Sequence, residues 1–93
     1  PVFVTNPDTG KKALYVNRLM TSRIEGLDDA ENREVLETLW DIIESPDNMY
    51  EHIWAPGDII VWDNLSSVHA RTDWPQDERR TLRRCTVQGD TLV

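Results

Sequence analysis

The residues best suited to chemistry are one histidine and two arginines in the last third of the chain. His69 follows an apolar run ending at Trp62 and a polar turn that begins at Asp63, a position that would present a metal-competent imidazole at the mouth of a sheet. Arg80 and Arg84 are four residues apart in a predicted strand, so their side chains would share a face, about 13 Å apart. Two guanidiniums on one face favour an anion. The alternatives are an ordinary surface or core histidine and an exposed, arginine-rich edge strand.

A hairpin and one amphipathic helix are predicted in the first half of the chain. Residues 2–5 and 12–16 favour short strands, and the Pro and Gly between them suit a tight connection. Asp28 can act as an N-cap with Glu31 three residues later, as in a capping box. Apolar residues then recur at intervals of three and four: Val35, Leu36, Leu39, Trp40 and Ile43. We therefore expect a helix of about four turns that ends before Pro46.

The second half of the chain is predicted to consist of strands. The candidates are residues 50–54, 58–62, 68–71 and 79–87. His52, in the first of them, is interpreted as an ordinary strand residue. With no internal repeat and no linker, residues 1–93 are predicted to belong to one domain of a mainly β fold with one α-helix.

Composition restricts the classes of partner. At 93 residues the chain is near the size at which apolar burial only just offsets chain entropy. It has no apolar run approaching about 18 residues and no secretory segment, so we expect a cytoplasmic protein without a membrane partner. The net charge of −7 argues against nucleic acid. The single cysteine, Cys85, is interpreted as a small core or strand residue rather than a reactive thiol.

Several motifs in a fixed order resemble one protein family. Residues 6–17, Asn-Pro-Asp-Thr-Gly-Lys-Lys-Ala-Leu-Tyr-Val-Asn, are similar to a hairpin motif of that family. Pro-Gly-Asp at residues 56–58, Trp-Asp-Asn at residues 62–64, His69, and arginines eleven and fifteen residues after it follow in the family's order. Together they resemble the C-terminal part of the taurine dioxygenase family of non-haem Fe(II)- and 2-oxoglutarate-dependent oxygenases.

The resemblance implies a fold, a reaction and residue roles. The fold would be the C-terminal part of a double-stranded β-helix, or jelly roll. The reaction would be hydroxylation of a small anionic organic substrate, with 2-oxoglutarate converted to succinate and CO2. His69 matches the distal iron ligand, and Arg80 matches the residue that binds the distal carboxylate of 2-oxoglutarate. Arg84 matches a position that faces the anionic head of the substrate or the cosubstrate, and Met20 matches a substrate-contact position. The alternatives are a structural ion pair of Arg84 with Asp63 or Asp73, and a core methionine.

The resemblance also implies that other parts of the site lie elsewhere. The family's first two ligands form a His-x-Asp or His-x-Glu motif far upstream, and the other histidine here, His52, is followed by Ile53 and Trp54. The chain begins at Pro1 without a methionine, so we expect a fragment that lacks its N-terminal half and is inactive alone, or a half-barrel that forms a homo-oligomer. The alternative function is a non-catalytic module that binds a small anion or self-associates.

Overall fold

The computed structural model describes residues 1–89, and its sheet is a single two-stranded hairpin. β1 (Phe3–Thr5) pairs antiparallel with β2 (Lys12–Leu14), with Val4 opposite Ala13. The connection folds because the Asn6 side-chain oxygen accepts hydrogen bonds from the backbone N–H groups of residues 8 and 9, as in an Asx turn. Gly10 adopts φ of 68°, which a glycine tolerates without strain. The predicted hairpin is thereby confirmed, with its second strand ending at Leu14.

The predicted helix is also present, as α1 (Asp29–Ile43). Asp28 accepts hydrogen bonds from the N–H groups of Ala30 and Glu31, and the Glu31 carboxylate accepts one from the N–H of Asp28. This reciprocal capping box satisfies backbone donors that the first turn of a helix leaves unpaired. A 3₁₀ turn at Pro46–Asn48 follows the helix, because Pro46 cannot continue the α-helical hydrogen bonding.

Polar side chains connect the segment between β2 and α1 to the helix. Arg18 forms ion pairs with Glu37, Asp41 and Glu44 and lies over the ring of Trp40. The side chain of Asn32 is buried and bonds to the loop that precedes α1. The buried apolar residues of the described chain are few: Val4, Val16 and Leu36. The hairpin and α1 therefore contribute the small core, and polar contacts supplement it.

The four strands predicted after residue 49 are not formed, and this part of the prediction was wrong. Residues 50–89 contain no strand; their backbone hydrogen bonds close turns at residues 55–58, 63–67 and 75–78. A strand requires a neighbouring strand to pair with its N–H and C=O groups, and none lies beside these segments in residues 1–89. Apolar side chains there are consequently exposed, among them Ile53, Ile59, Val61 and Val87. Within the described residues, no helix has the length and apolarity needed to cross a membrane.

Candidate functional site

His69 lies against an aromatic ring next to a well-defined turn. The ring centres of His69 and Trp62 are 4.6 Å apart, with 46° between the ring planes. The Trp62 indole N–H donates a hydrogen bond to the side-chain oxygen of Asn64 at 2.9 Å. The hydrogen bond to Asn64 holds the indole of Trp62 in place, and the indole in turn limits the orientations open to the His69 imidazole.

Asp63 organises the turn between Trp62 and His69. Its carboxylate accepts hydrogen bonds from the Ser66 hydroxyl at 2.6 Å and the backbone N–H of Leu65 at 2.9 Å. These two donors, with the Ser66 hydroxyl the larger cause, hold the pKa of the Asp63 carboxyl below its usual range. The carboxylate also accepts a hydrogen bond from the side-chain amide of Asn6 at 3.1 Å. The turn before His69 is therefore tethered to the hairpin connection.

Arg80 lies on a tryptophan rather than on a strand. Its guanidinium carbon is 5.3 Å from the centre of the Trp74 ring, and that of Arg71 is 4.2 Å from the same ring centre. Both distances are within cation–π range. The predicted common strand face of Arg80 and Arg84 was wrong, because residues 79–87 have no neighbouring strand to fix the alternation. The described contact of Arg80 is therefore with the indole of Trp74.

The structure does not bring the four predicted site residues together. Within residues 1–89, no hydrogen bond or ion pair joins any two of His69, Arg80, Arg84 and Met20. Met20 is 79% exposed, so the alternative of a core methionine does not hold. The alternative ion pair of Arg84 with Asp63 or Asp73 is not among the described salt bridges. Cys85 is exposed and outside any strand of the described residues, so its interpretation as a core or strand residue was wrong.

The described side chains do not fit a complete iron site. Across residues 1–89, no group of three His, Cys, Asp or Glu side chains is arranged to hold a metal ion. A facial iron site needs two imidazoles and a carboxylate. His52 is already bonded through Nε2 to the Asp58 carboxylate at 3.0 Å. The side chains of residues 1–89 can therefore offer His69 as one ligand and no chelate around it.

His52 belongs to a local cluster of polar and aromatic side chains that was not predicted from the sequence. Its Nε2 contacts Asp58, its Nδ1 lies 3.3 Å from the Tyr50 hydroxyl, and its ring meets that of Trp54 edge-on at 4.9 Å. The backbone N–H of Ala55, and then His52, hold the pKa of the Asp58 carboxyl below its usual range. The interpretation of His52 as a strand residue was wrong; it closes a loop instead. The spacing of aromatic residues at positions 50, 52 and 54 was the available signal.

Comparison with known proteins identifies the family of this chain. The family model described as "Taurine catabolism dioxygenase TauD, TfdA family" matches residues 1–86. The chain belongs to this family. The resemblance inferred from the hairpin motif and from the residues around His69 is thereby confirmed.

Individual relatives of the taurine dioxygenase family match nearly all of the chain. Pentalenolactone F synthase of Streptomyces avermitilis is 46% identical over 89 residues, or 96% of this chain and 29% of that protein. The (S)-phenoxypropionate/alpha-ketoglutarate-dioxygenase of Sphingobium herbicidovorans is 36% identical over 90 residues, or 97% of this chain and 31% of that protein. The alpha-ketoglutarate-dependent sulfonate dioxygenase of Saccharomyces cerevisiae is 30% identical over 95 residues, or 100% of this chain and 23% of that protein.

The chain thus spans less than a third of the length of these relatives. No solved structure matches it significantly.

Proposed function

We propose that these 93 residues form the C-terminal part of the jelly-roll catalytic domain of an Fe(II)- and 2-oxoglutarate-dependent dioxygenase. The family match supports this proposal, because it runs through the segment that carries His69, Arg80 and Arg84. In the complete domain, iron with 2-oxoglutarate and dioxygen would supply the oxidation of a substrate C–H bond, with release of succinate and CO2. The 93-residue chain alone, which offers one imidazole ligand, is proposed to be inactive.

His69 is proposed as one iron ligand. A neutral imidazole binds metal through one ring nitrogen, so the orientation of the ring decides where that nitrogen points. The contact with Trp62 at 4.6 Å and the turn built on Asp63 restrict that orientation before any metal arrives. The other two ligands would come from a His-x-Asp or His-x-Glu motif outside these residues.

Arg80 is proposed to bind the distal carboxylate of 2-oxoglutarate. A guanidinium presents N–H donors in a planar fork that can engage both oxygens of a carboxylate. The guanidinium carbon of Arg80 lies over the Trp74 ring, 5.3 Å from its centre, and no described salt bridge uses its N–H groups, so they are available for that carboxylate. Binding would thereby fix the cosubstrate by its end away from the metal.

Arg84 and Met20 are proposed to contact the primary substrate, which we propose is a small organic anion. The names of two relatives support this class, since a phenoxypropionate and a sulfonate are both anions. Arg84 would supply the positive charge. Met20, which is 79% exposed, would supply an apolar surface for the organic part of the substrate.

Succinate formation at varied 2-oxoglutarate concentration tests these roles, in a protein that contains these residues together with the upstream ligand motif. Arg80→Ala should raise the KM for 2-oxoglutarate about 30-fold or more, since loss of a charge-assisted pair at a partly buried site costs about 2 to 5 kcal/mol. Arg84→Ala should act mainly on the KM of the primary substrate, and His69→Ala should abolish turnover.

Arg83→Ala is the matched control for both arginines, because it removes the same charge from the same segment. It should leave both KM values nearly unchanged. A 2-oxoglutarate dependence that is the same in Arg80→Ala as in the unmodified protein would reject the role of Arg80. Full turnover in His69→Ala would reject the role of His69. Absence of succinate formation in the unmodified protein would instead favour the alternative of a non-catalytic anion-binding module.

A further inference from the structure

Two guanidiniums share one indole in the segment that follows His69. The guanidinium carbons of Arg71 and Arg80 lie 4.2 Å and 5.3 Å from the centre of the Trp74 ring. The two carbons are therefore at most about 10 Å apart, the sum of the two distances. Like charges this close repel one another, and the electron-rich face of the indole offsets part of that repulsion. We call these three residues the Arg71–Trp74–Arg80 stack.

The stack has no internal counter-charge among the described residues. Within residues 1–89, neither Arg71 nor Arg80 takes part in a salt bridge, although Asp73, Asp77 and Glu78 are near in sequence. Glu78 instead closes a turn through its backbone N–H, which donates to the carbonyl of Pro75. The stack is therefore a site of concentrated positive charge in a chain whose net charge is −7.

Arg18 provides the contrast within the same chain. It also lies over a tryptophan, Trp40, at 4.8 Å, but its guanidinium forms ion pairs with two carboxylates of α1 and with that of Glu44, the residue after the helix. Those carboxylates use its N–H donors, so Arg18 is a structural cation. At Trp74 the indole contacts both guanidiniums, and no described carboxylate uses their donors.

We propose that Trp74 is a positioning residue for anion binding. Its ring holds the guanidinium of Arg80 with the N–H fork directed outward, and it brings Arg71 to the same anion as a second cation. The anion would be a small dicarboxylate, with one carboxylate bound by the paired guanidiniums. This inference rests on the role proposed above for Arg80 and adds Trp74 and Arg71 to it.

The experiment is an NMR titration of the ¹⁵N-labelled 93-residue chain with 2-oxoglutarate at constant ionic strength. The probes are the indole N–H of Trp74 and the Nε–H groups of Arg71 and Arg80, and the Trp74→Phe variant identifies the indole signal by deleting it. All three probes should shift with one common Kd. Trp74→Ala should raise that Kd about 2- to 5-fold, the loss expected for exposed cation–π contacts. Trp74→Phe, which keeps an aromatic face, should restore most of the affinity.

Trp54→Ala is the matched control. Trp54 is 43% exposed and Trp74 is 38% exposed, but Trp54 meets the ring of His52 instead of a guanidinium. Its replacement should leave the Kd unchanged, and the same Kd in Trp74→Ala as in the unmodified chain would overturn the inference. A raised Kd in Arg80→Ala together with an unchanged Kd in Trp74→Ala would reject the positioning role of Trp74 alone. An unchanged Kd in Arg80→Ala would reject the role proposed for Arg80 as well.

Discussion

Replacement of Asn32 by alanine should loosen the junction between α1 and the loop that precedes it. Asn32 is only 6% exposed. Its side-chain oxygen accepts a hydrogen bond from the N–H of Ile24 at 2.6 Å, and its side-chain amide lies within 3.1 Å of the carbonyl oxygens of Ile24, Leu27 and Asp28. One polar side chain thus satisfies several backbone groups that would otherwise be unpaired at a half-buried loop.

The magnitude follows from the number of independent hydrogen bonds. The amide of Asn32 has two hydrogens, so its contacts with three carbonyls amount to two bonds, and the oxygen adds a third. At about 0.5 to 1.5 kcal/mol net for each of the three bonds, Asn32→Ala should cost about 1.5 to 4.5 kcal/mol. Opening of the loop should therefore become about 10- to 2,000-fold more frequent.

Amide hydrogen exchange at Ile24 measures this opening directly, because the N–H of Ile24 is the donor to Asn32. Urea unfolding followed by the circular dichroism of α1 gives the accompanying loss of stability. Asn48→Ala is the control, since the exposed side chain of Asn48 makes one hydrogen bond, to the carbonyl of Ile42 at 2.8 Å. It should cost at most about 1 kcal/mol. Protection of Ile24 that is equal in the two variants would refute the reasoning.

Three further predictions concern pH, metal and association. The Ser66 hydroxyl and the N–H of Leu65 lower the pKa of Asp63 from its ordinary value of 3.8, so the ionised carboxylate stabilises the turn above pH 3.8 and this stability is lost as pH falls through the lowered pKa. The chemical shift of the Leu65 amide should therefore titrate below pH 3.8, and Asp63→Asn should abolish that transition. Anaerobic calorimetric titration with Fe(II) should show no micromolar site, because His69 alone provides no chelate, and a tight stoichiometric site would contradict this. Light scattering should show a dimer or larger assembly, because residues such as Val61, 90% exposed, need cover; a monomer with a cooperative melt would count against it.

The hairpin and α1 were predictable because the information that specifies them is local. Asn6 bonds to backbone groups two and three residues away, and Gly10 supplies the positive φ that the turn requires. The capping box of Asp28 and Glu31 likewise spans three residues. Each of these devices can be read in a short window of sequence, and the hairpin and the capping box appear in the structure as expected.

The strands after residue 49 were not predictable in the same way, because a strand depends on residues distant in sequence. An apolar run such as residues 59–62 has strand propensity, but without a paired neighbour its backbone groups form turns and its side chains stay exposed. The alternation assumed for Arg80 and Arg84 failed for the same reason. The contact between Trp74 and Arg80 could have been anticipated, since an aromatic residue lies six positions before that arginine in a segment rich in guanidiniums.

The two side chains proposed to bind metal and cosubstrate are each held by a tryptophan close to them in sequence. Trp62 contacts His69, seven residues later, and Trp74 contacts Arg80, six residues later. Contacts over such short separations close with little loss of chain entropy, so they form without the rest of a barrel. The remaining requirement of the proposed site, a chelate around His69, would join residues that are far apart in sequence and would depend on the complete domain. The chain therefore carries the local orientation of its chemical groups, and the family's full fold would bring those groups to one centre.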